Sequence, residues 1–306
     1  MSTKEKKRTL VDYAGLAARG FIMGMSDIVP GVGGGTIALI LGIYEELVLS
    51  IKGVLNPEAI RLALRLKIGQ ALALIPWQFL VCVAGGLITA AFSMSFAVEW
   101  VLEHYPSLLW AFFFGLVAAA AVTIVRRIRT WSYVPVVGIV IGAVSAYTLV
   151  GLVPGETPDT WWFYMLSGAV AICGMVLPGL SGSFLLVLMG KYEAVLSAVT
   201  SWDILTLLLV IIGAAIGIVT LAQLLSWLLK RYHDPTIAVL TGMLSGSLRK
   251  VWPWKVVGEA GLERNILPAV WTLEVAAVLV LVLLGFALIT SLSSWAARRE
   301  KAHAGA

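Results

Sequence analysis

Six stretches of this chain, 68–98, 105–125, 130–155, 160–190, 204–229 and 275–297, contain no Asp, Glu, Lys or Arg. A helix needs about 20 apolar residues to cross the hydrocarbon of a bilayer. Backbone in hydrocarbon must satisfy its own hydrogen bonds, so uninterrupted apolar runs of this length read as membrane helices. A seventh segment, 236–254, reaches a span only if it continues through Trp254 with Arg249 and Lys250 near one membrane face. Only 13% of residues are charged and mean hydropathy is +0.95, far from soluble composition. The expected class is an all-α polytopic membrane protein.

The net charge of +5 does not suggest nucleic acid. The basic residues cluster at the ends of apolar runs and form no stripe with interleaved aromatics. The clusters are Lys4–Arg8, Arg61–Lys67, Arg126–Arg129, Lys230-Arg231 and Arg298–Lys301. By the positive-inside rule they are expected in the cytoplasm, with both termini there and the acidic, Trp-rich connections 99–104 and 156–162 outside. The first apolar run lacks a small-residue cleavage site, so no cleavable signal is expected. Cys82 and Cys173 lie in apolar runs and His104, His233 and His303 are scattered. No metal-ligand spacing results, and no cofactor is expected.

The chain repeats itself. Sliding it by 148 positions lays "IVPGVGGGTIALILGIYEELV" on "VLPGLSGSFLLVLMGKYEAVL", with Gly20/Gly168, Pro30/Pro178, Gly31/Gly179, Gly34/Gly182, Gly42/Gly190, Tyr44/Tyr192 and Glu45/Glu193 identical. Fainter likeness continues at a shorter offset, where "GLVAAA" at 115–120 faces "GMLSGS" at 242–247 and Gly85-Gly86 faces Gly213-Ala214. Each arm beside Pro-Gly, about 16 residues or 24 Å of helix, is short for a core near 30 Å. Each pair of arms therefore reads as a re-entrant hairpin. Two units follow. Residues 1–155 hold a hairpin at 14–51 and spans near 68–96, 107–125 and 131–153; residues 156–306 hold a hairpin at 161–199 and spans near 204–229, 236–254 and 270–295. Three spans per half invert the second repeat, the usual build of secondary transporters with substrate at the broken helices.

Non-helical backbone at membrane depth is tolerated only where protein or water satisfies it. Gly31, Gly33, Gly34 and Gly35 in one tip, and Gly179 and Gly182 in the other, would leave bare N–H groups at the start of a half-helix. Thr36, Ser181 and Ser183 add hydroxyl donors. Such a tip is suited to an anion, and glycine lets a phosphate oxygen approach the backbone. Ser26, Asp27 and Arg19 before the first break, with Arg249 and Lys250, complete the candidate headgroup set. The competing reading is glycine serving only close helix packing. Spacing alone reaches an anion or anionic-lipid transporter.

These residues also resemble a known family, the bacterial polyprenyl-phosphate transporters. The likeness rests on "GMSDIVPGVGGGTIALILGIYEEL" with "GMVLPGLSGSFLLVLMGKYEAVL", and extends through "AFFFGL" and "LTGMLSGSLRKVWPW". The resemblance implies a flippase that returns undecaprenyl phosphate, the carrier of cell-envelope glycan synthesis, to the inner leaflet of the cytoplasmic membrane. The alternatives are an intramembrane undecaprenyl pyrophosphate phosphatase, with Ser183 as nucleophile, and a transporter of another anion. Neither tip carries an arginine for phosphoryl transfer, which tells against the enzyme.

Ionisable residues inside a membrane are functional candidates. Glu45 and Glu193 each lie 15 residues beyond a proline, about four helical turns. They are the candidate coupling groups for a proton or sodium gradient. Lys191, in the place of Ile43, is expected either to join them or to pair with Glu193. Arg126, Arg127 and Arg129 read as topology anchors.

Overall fold

The computed structural model describes residues 9–28, 33–54, 56–155, 157–257, 263–268 and 272–304. The Pro30-Gly31 break, with the candidate Gly31, and Glu156 lie outside them. The first hairpin region forms α1 (Leu10–Ile28), α2 (Gly34–Ile40) and α3 (Tyr44–Val54). The second forms α9 (Trp161–Val176), α10 (Gly182–Leu188) and α11 (Tyr192–Thr200). The returning arm is thus not one half-helix in either place. Gly42 and Gly190 adopt φ of +73° and +63°, left-handed values that glycine takes without steric cost. At the second of these turns the axis bends by 110° between α10 and α11. Counting straight helical turns from proline to glutamate therefore misplaces Glu193.

Between α3 and the next long helix lie two short pieces, α4 (Pro57–Leu64) and α5 (Ile68–Ala73). The long helices are α6 (Trp77–His104), α7 (Pro106–Val125), α8 (Tyr133–Val150), α12 (Ile204–Arg231) and α14 (Leu273–Ala304). Among the described residues these five are long and apolar enough to cross a membrane, or six if the bent α10–α11 pair is counted. The protein is a multi-pass, helical membrane protein. The expected span at 68–96 divides at Pro76, because proline cannot donate to a helical ladder and disfavours helix in the residue before it. Asp203 starts α12 by accepting the Thr206 N–H at 3.3 Å and the Thr206 hydroxyl at 2.7 Å, an N-cap.

The expected span 236–254 also differs. Helix α13 (His233–Ser247) ends early, and the chain then forms an antiparallel hairpin of β1 (Lys255–Val257) and β2 (Glu263–Asn265). Its 15 residues make about 22 Å of helix. It is sheathed by α7 and α8, with Ile237, Ala238, Leu240 and Leu244 buried. Thr241 returns its hydroxyl to the Ile237 carbonyl at 2.8 Å.

Packing follows a pattern. Helix α1 lies on α6 and α9 on α12, whereas α7 lies on α14 and α8 on α13. Glycines make the close approaches. A Cβ on Gly86 would overlap the Ala17 carbonyl, and one on Gly213 the Met165 carbonyl. Across the centre, Gly142 abuts Val239 and Gly285 abuts Phe112. Gly86, not Gly85, therefore corresponds to Gly213, one residue from the register expected above.

Candidate functional site: the junction of the two tips

The two glycine-rich tips meet. The Gly179 N–H donates to Thr36 Oγ1 at 2.8 Å, joining residues 143 positions apart. Thr36 is fully buried. A Cβ on Gly33 would overlap the Leu180 carbonyl oxygen, and one on Gly35 the Val176 carbonyl oxygen. Glycine is therefore required where the first tip rests on the backbone of the second. Gly179 has φ +85° and sits against Met243 and Ser247 of α13. Tip, tip and core helix converge at one place.

Most of the donors expected for an anion are engaged with one another. The Gly34 N–H donates to Asp27 Oδ1 at 2.5 Å, so a carboxylate of the chain itself occupies the first tip. Asp27 Oδ2 is buried with no hydrogen-bond partner. Ser26 turns its hydroxyl back to the Met23 carbonyl at 2.7 Å. Ser181 and Ser183 hydrogen-bond each other at 2.8 Å, and Ser183 is exposed while Ser181 is buried. Gly182 packs against the Ala171 carbonyl of α9.

The basic candidates separate. Lys250 Nζ lies 5.4 Å from the centre of the Phe184 ring on α10, beside the second tip. Arg249 instead turns away: Nη1 donates to the Tyr147 carbonyl at 3.0 Å and the guanidinium lies 4.4 Å from the Tyr147 ring centre. It fastens the end of α13 to α8. Arg19, half-buried on α1, is not brought to the junction by any hydrogen bond or ion pair among the described residues.

Lys191 corrects an expectation. Its Nζ pairs with Asp159 Oδ1 at 2.5 Å, not with Glu193, and also donates to the Thr157 carbonyl at 3.0 Å. The ammonium lies 5.3 Å from the Tyr164 ring centre and 5.6 Å from that of Phe163. Lys191 is only 2% exposed, and a buried ammonium needs such partners. The hydrogen bond from Lys191 holds the exposed Asp159 carboxyl below the usual carboxylate range, with Tyr164 adding to it. Thr157 Oγ1 also donates to the Met189 carbonyl at 2.5 Å. Gly155, Thr157 and Asp159 thus clamp the turn between α10 and α11.

The glutamates lie in unlike surroundings. Glu45 Oε1 is 3.7 Å from Nε2 of His233, whose Nδ1 is 3.0 Å from Asp234 Oδ1. Asp234 also accepts from the Thr130 N–H at 2.9 Å and its hydroxyl at 2.6 Å. Glu193 is exposed and forms no ion pair among the described residues. Sequence reading passed over His233 and Asp159, since neither sits in the repeated motif. Among the described residues no cluster of His, Cys, Asp and Glu could hold a metal.

Comparison with known proteins decides the family. A profile described as undecaprenyl phosphate translocase-like matches residues 23–265, both tips and helices α7, α8 and α13 included. The chain belongs to that translocase-like family. Among its relatives is a polyprenyl-phosphate transporter of Vibrio cholerae, 37% identical over 268 residues, 84% of this chain and 87% of the other. A Staphylococcus aureus protein of the same description is 30% identical over 308 residues, 92% of this chain and 96% of its own. No solved structure matches. Within this translocase-like family the matched region takes in both glycine tips and Lys250 but ends before α14.

Proposed function

We propose that this protein returns undecaprenyl phosphate from the outer to the inner leaflet of the cytoplasmic membrane, through the junction of two inverted repeats. That it is a transporter of a polyprenyl-phosphate lipid and not an enzyme follows from its family. The observation that carries the rest is the hydrogen bond from the Gly179 N–H to Thr36, which joins the two glycine-rich tips. A polyprenyl tail stays in hydrocarbon throughout. Only the phosphate has to be sheltered, because an unpaired buried charge is prohibitively costly.

In the arrangement described, the tips satisfy each other, so the junction is closed to a headgroup. Separating the tips would free the Gly179 N–H and the Thr36 hydroxyl. Displacing Asp27 would free the Gly34 N–H, and Lys250, whose Nζ lies beside the Phe184 ring on α10, would exchange its present contacts to neutralise the phosphate. The moving parts are not the two halves as rigid bodies, because α7 and α8 are packed into α14 and α13 of the other half. We assign the motion to the hairpins with α6 and α12, sliding on that interlocked centre.

The inverted arrangement places Ser132 in the cytoplasm and Pro158 outside. A single cysteine at Pro158 is expected to react with an impermeant maleimide on intact cells, and one at Ser132 only after permeabilisation. Labelling of 132 from outside would overturn the inversion. The function itself is tested by leaflet-resolved transport of undecaprenyl phosphate in proteoliposomes, with pH and sodium gradients imposed separately. In that assay Glu45→Gln and Glu193→Gln are expected to bind lipid phosphate yet lose their response to a pH gradient. Glu45 should show the larger loss because it faces His233. Variants that still follow the proton gradient would leave both glutamates as structure.

A further inference from the structure

The sequence offset between corresponding segments drops from 148 residues at the hairpins to 127 at α6 and α12. The first half therefore carries 21 residues that the second lacks, and they fall between α3 and α6, where α4 and α5 lie. In the second half, α11 reaches α12 through residues 201–203 alone. The added segment has a distinct chemistry. Arg61, Arg65 and Lys67 are exposed, with Lys52 preceding them and Glu58 the acidic residue among them. Apolar side chains are exposed beside them: Leu66 at 83%, Ile68 at 58%, Leu74 at 43% and Leu72 at 37%.

Helices of 8 and 6 residues reach about 12 and 9 Å and cannot cross a bilayer. Apolar surface this dense is equally unsuited to bulk water. The interface between the two satisfies both, since basic residues can meet headgroups while apolar neighbours enter the acyl boundary. We infer that the α4–α5 segment is a docking surface for the anionic phospholipid headgroups of the surrounding leaflet. Arg61, Arg65 and Lys67 bind their phosphates, and Leu66, Ile68, Leu72 and Leu74 insert below them. The charge complementarity selects anionic over zwitterionic lipid. That the leaflet is the cytoplasmic one rests on the topology proposed above.

The test uses the full-length protein with Cys82→Ala, Cys173→Ala and Leu66→Cys, labelled at 66 with an environment-sensitive fluorophore. It is reconstituted in phosphatidylcholine vesicles with or without phosphatidylglycerol. Phosphatidylglycerol is expected to shift emission to the blue, and high salt to reverse the shift. Arg61→Gln, Arg65→Gln and Lys67→Gln combined should weaken this docking about a hundredfold, from roughly a fivefold factor per cation. Emission that ignores both phosphatidylglycerol and salt, whether water-like or already blue in phosphatidylcholine, would overturn the inference. An impermeant quencher identifies the leaflet independently. Quenching from the outer side with the charge dependence intact would overturn the proposed topology and keep the docking surface.

Discussion

Gly35→Val is expected to lower transport of undecaprenyl phosphate at least a hundredfold while the protein inserts and accumulates normally. A Cβ at this position would overlap the Val176 carbonyl oxygen and come within 3.0 Å of that of Met175. Neither is the end of a flexible side chain. Both are backbone atoms at the end of α9, so the tips can accept a side chain only by moving apart. Overpacking of this kind costs about 3 kcal/mol, roughly a hundredfold in an equilibrium. The cost falls on the state in which the tips are closed, and transport requires passage through it. Gly85→Ala is the control, since a Cβ there meets nothing within 4 Å. Equal transport by the two variants at equal abundance would mean that the junction does not close during the cycle.

The second large effect is on stability. Asp159→Ala should lower the melting temperature by several degrees, and by more than Lys191→Met does. The asymmetry comes from burial: Lys191 is 2% exposed and the Asp159 side chain 78%. Removing the aspartate leaves an ammonium indoors with only the Thr157 carbonyl and two ring faces. Removing the lysine leaves a carboxylate that water already reaches. An uncompensated buried charge is the costlier remainder. Because the Asp159 carboxyl is held below its usual range, its contribution is full above the ordinary aspartate value and is lost only as pH falls through the lower, folded one. The melting difference between wild type and Asp159→Ala should therefore be constant from neutral pH down to ordinary aspartate titration. A difference that vanished between pH 7 and pH 5 would contradict the clamp.

Long apolar runs and glycine breaks were legible in the sequence because each rests on a rule local to its own segment. Charge-free runs announce membrane helices, and a duplicated Pro-Gly motif announces two tips. What escaped was set by partners distant in sequence. Spacing sets Lys191 against Glu193 two residues away, but the α10–α11 bend turns it toward Thr157 and Asp159, more than thirty residues upstream. Ser181 and Ser183 look like free donors in a string of letters, yet their spacing brings the two hydroxyls together. The run at 68–98 looked continuous because proline adds nothing to a hydropathy count while removing a backbone donor. Helix α13 looked marginal as a span because its polarity is matched to protein and not to lipid. The candidate tips were visible from sequence, but their mutual satisfaction was not, since no pattern in one segment reveals that Thr36 accepts a hydrogen bond from Gly179.

The exchange of partners at the centre, α7 with α14 and α8 with α13, also governs how the chain is made. Synthesis proceeds from the N-terminus, so α7 and α8 enter the bilayer long before the helices they pack against exist. Their glycine-bearing faces must wait in lipid until the second half arrives, and the final architecture can close only when α14 has been inserted. Neither half is then a unit that matures alone. A nascent chain arrested after α12 would hold both glycine-rich tips and still lack the centre on which we propose they slide.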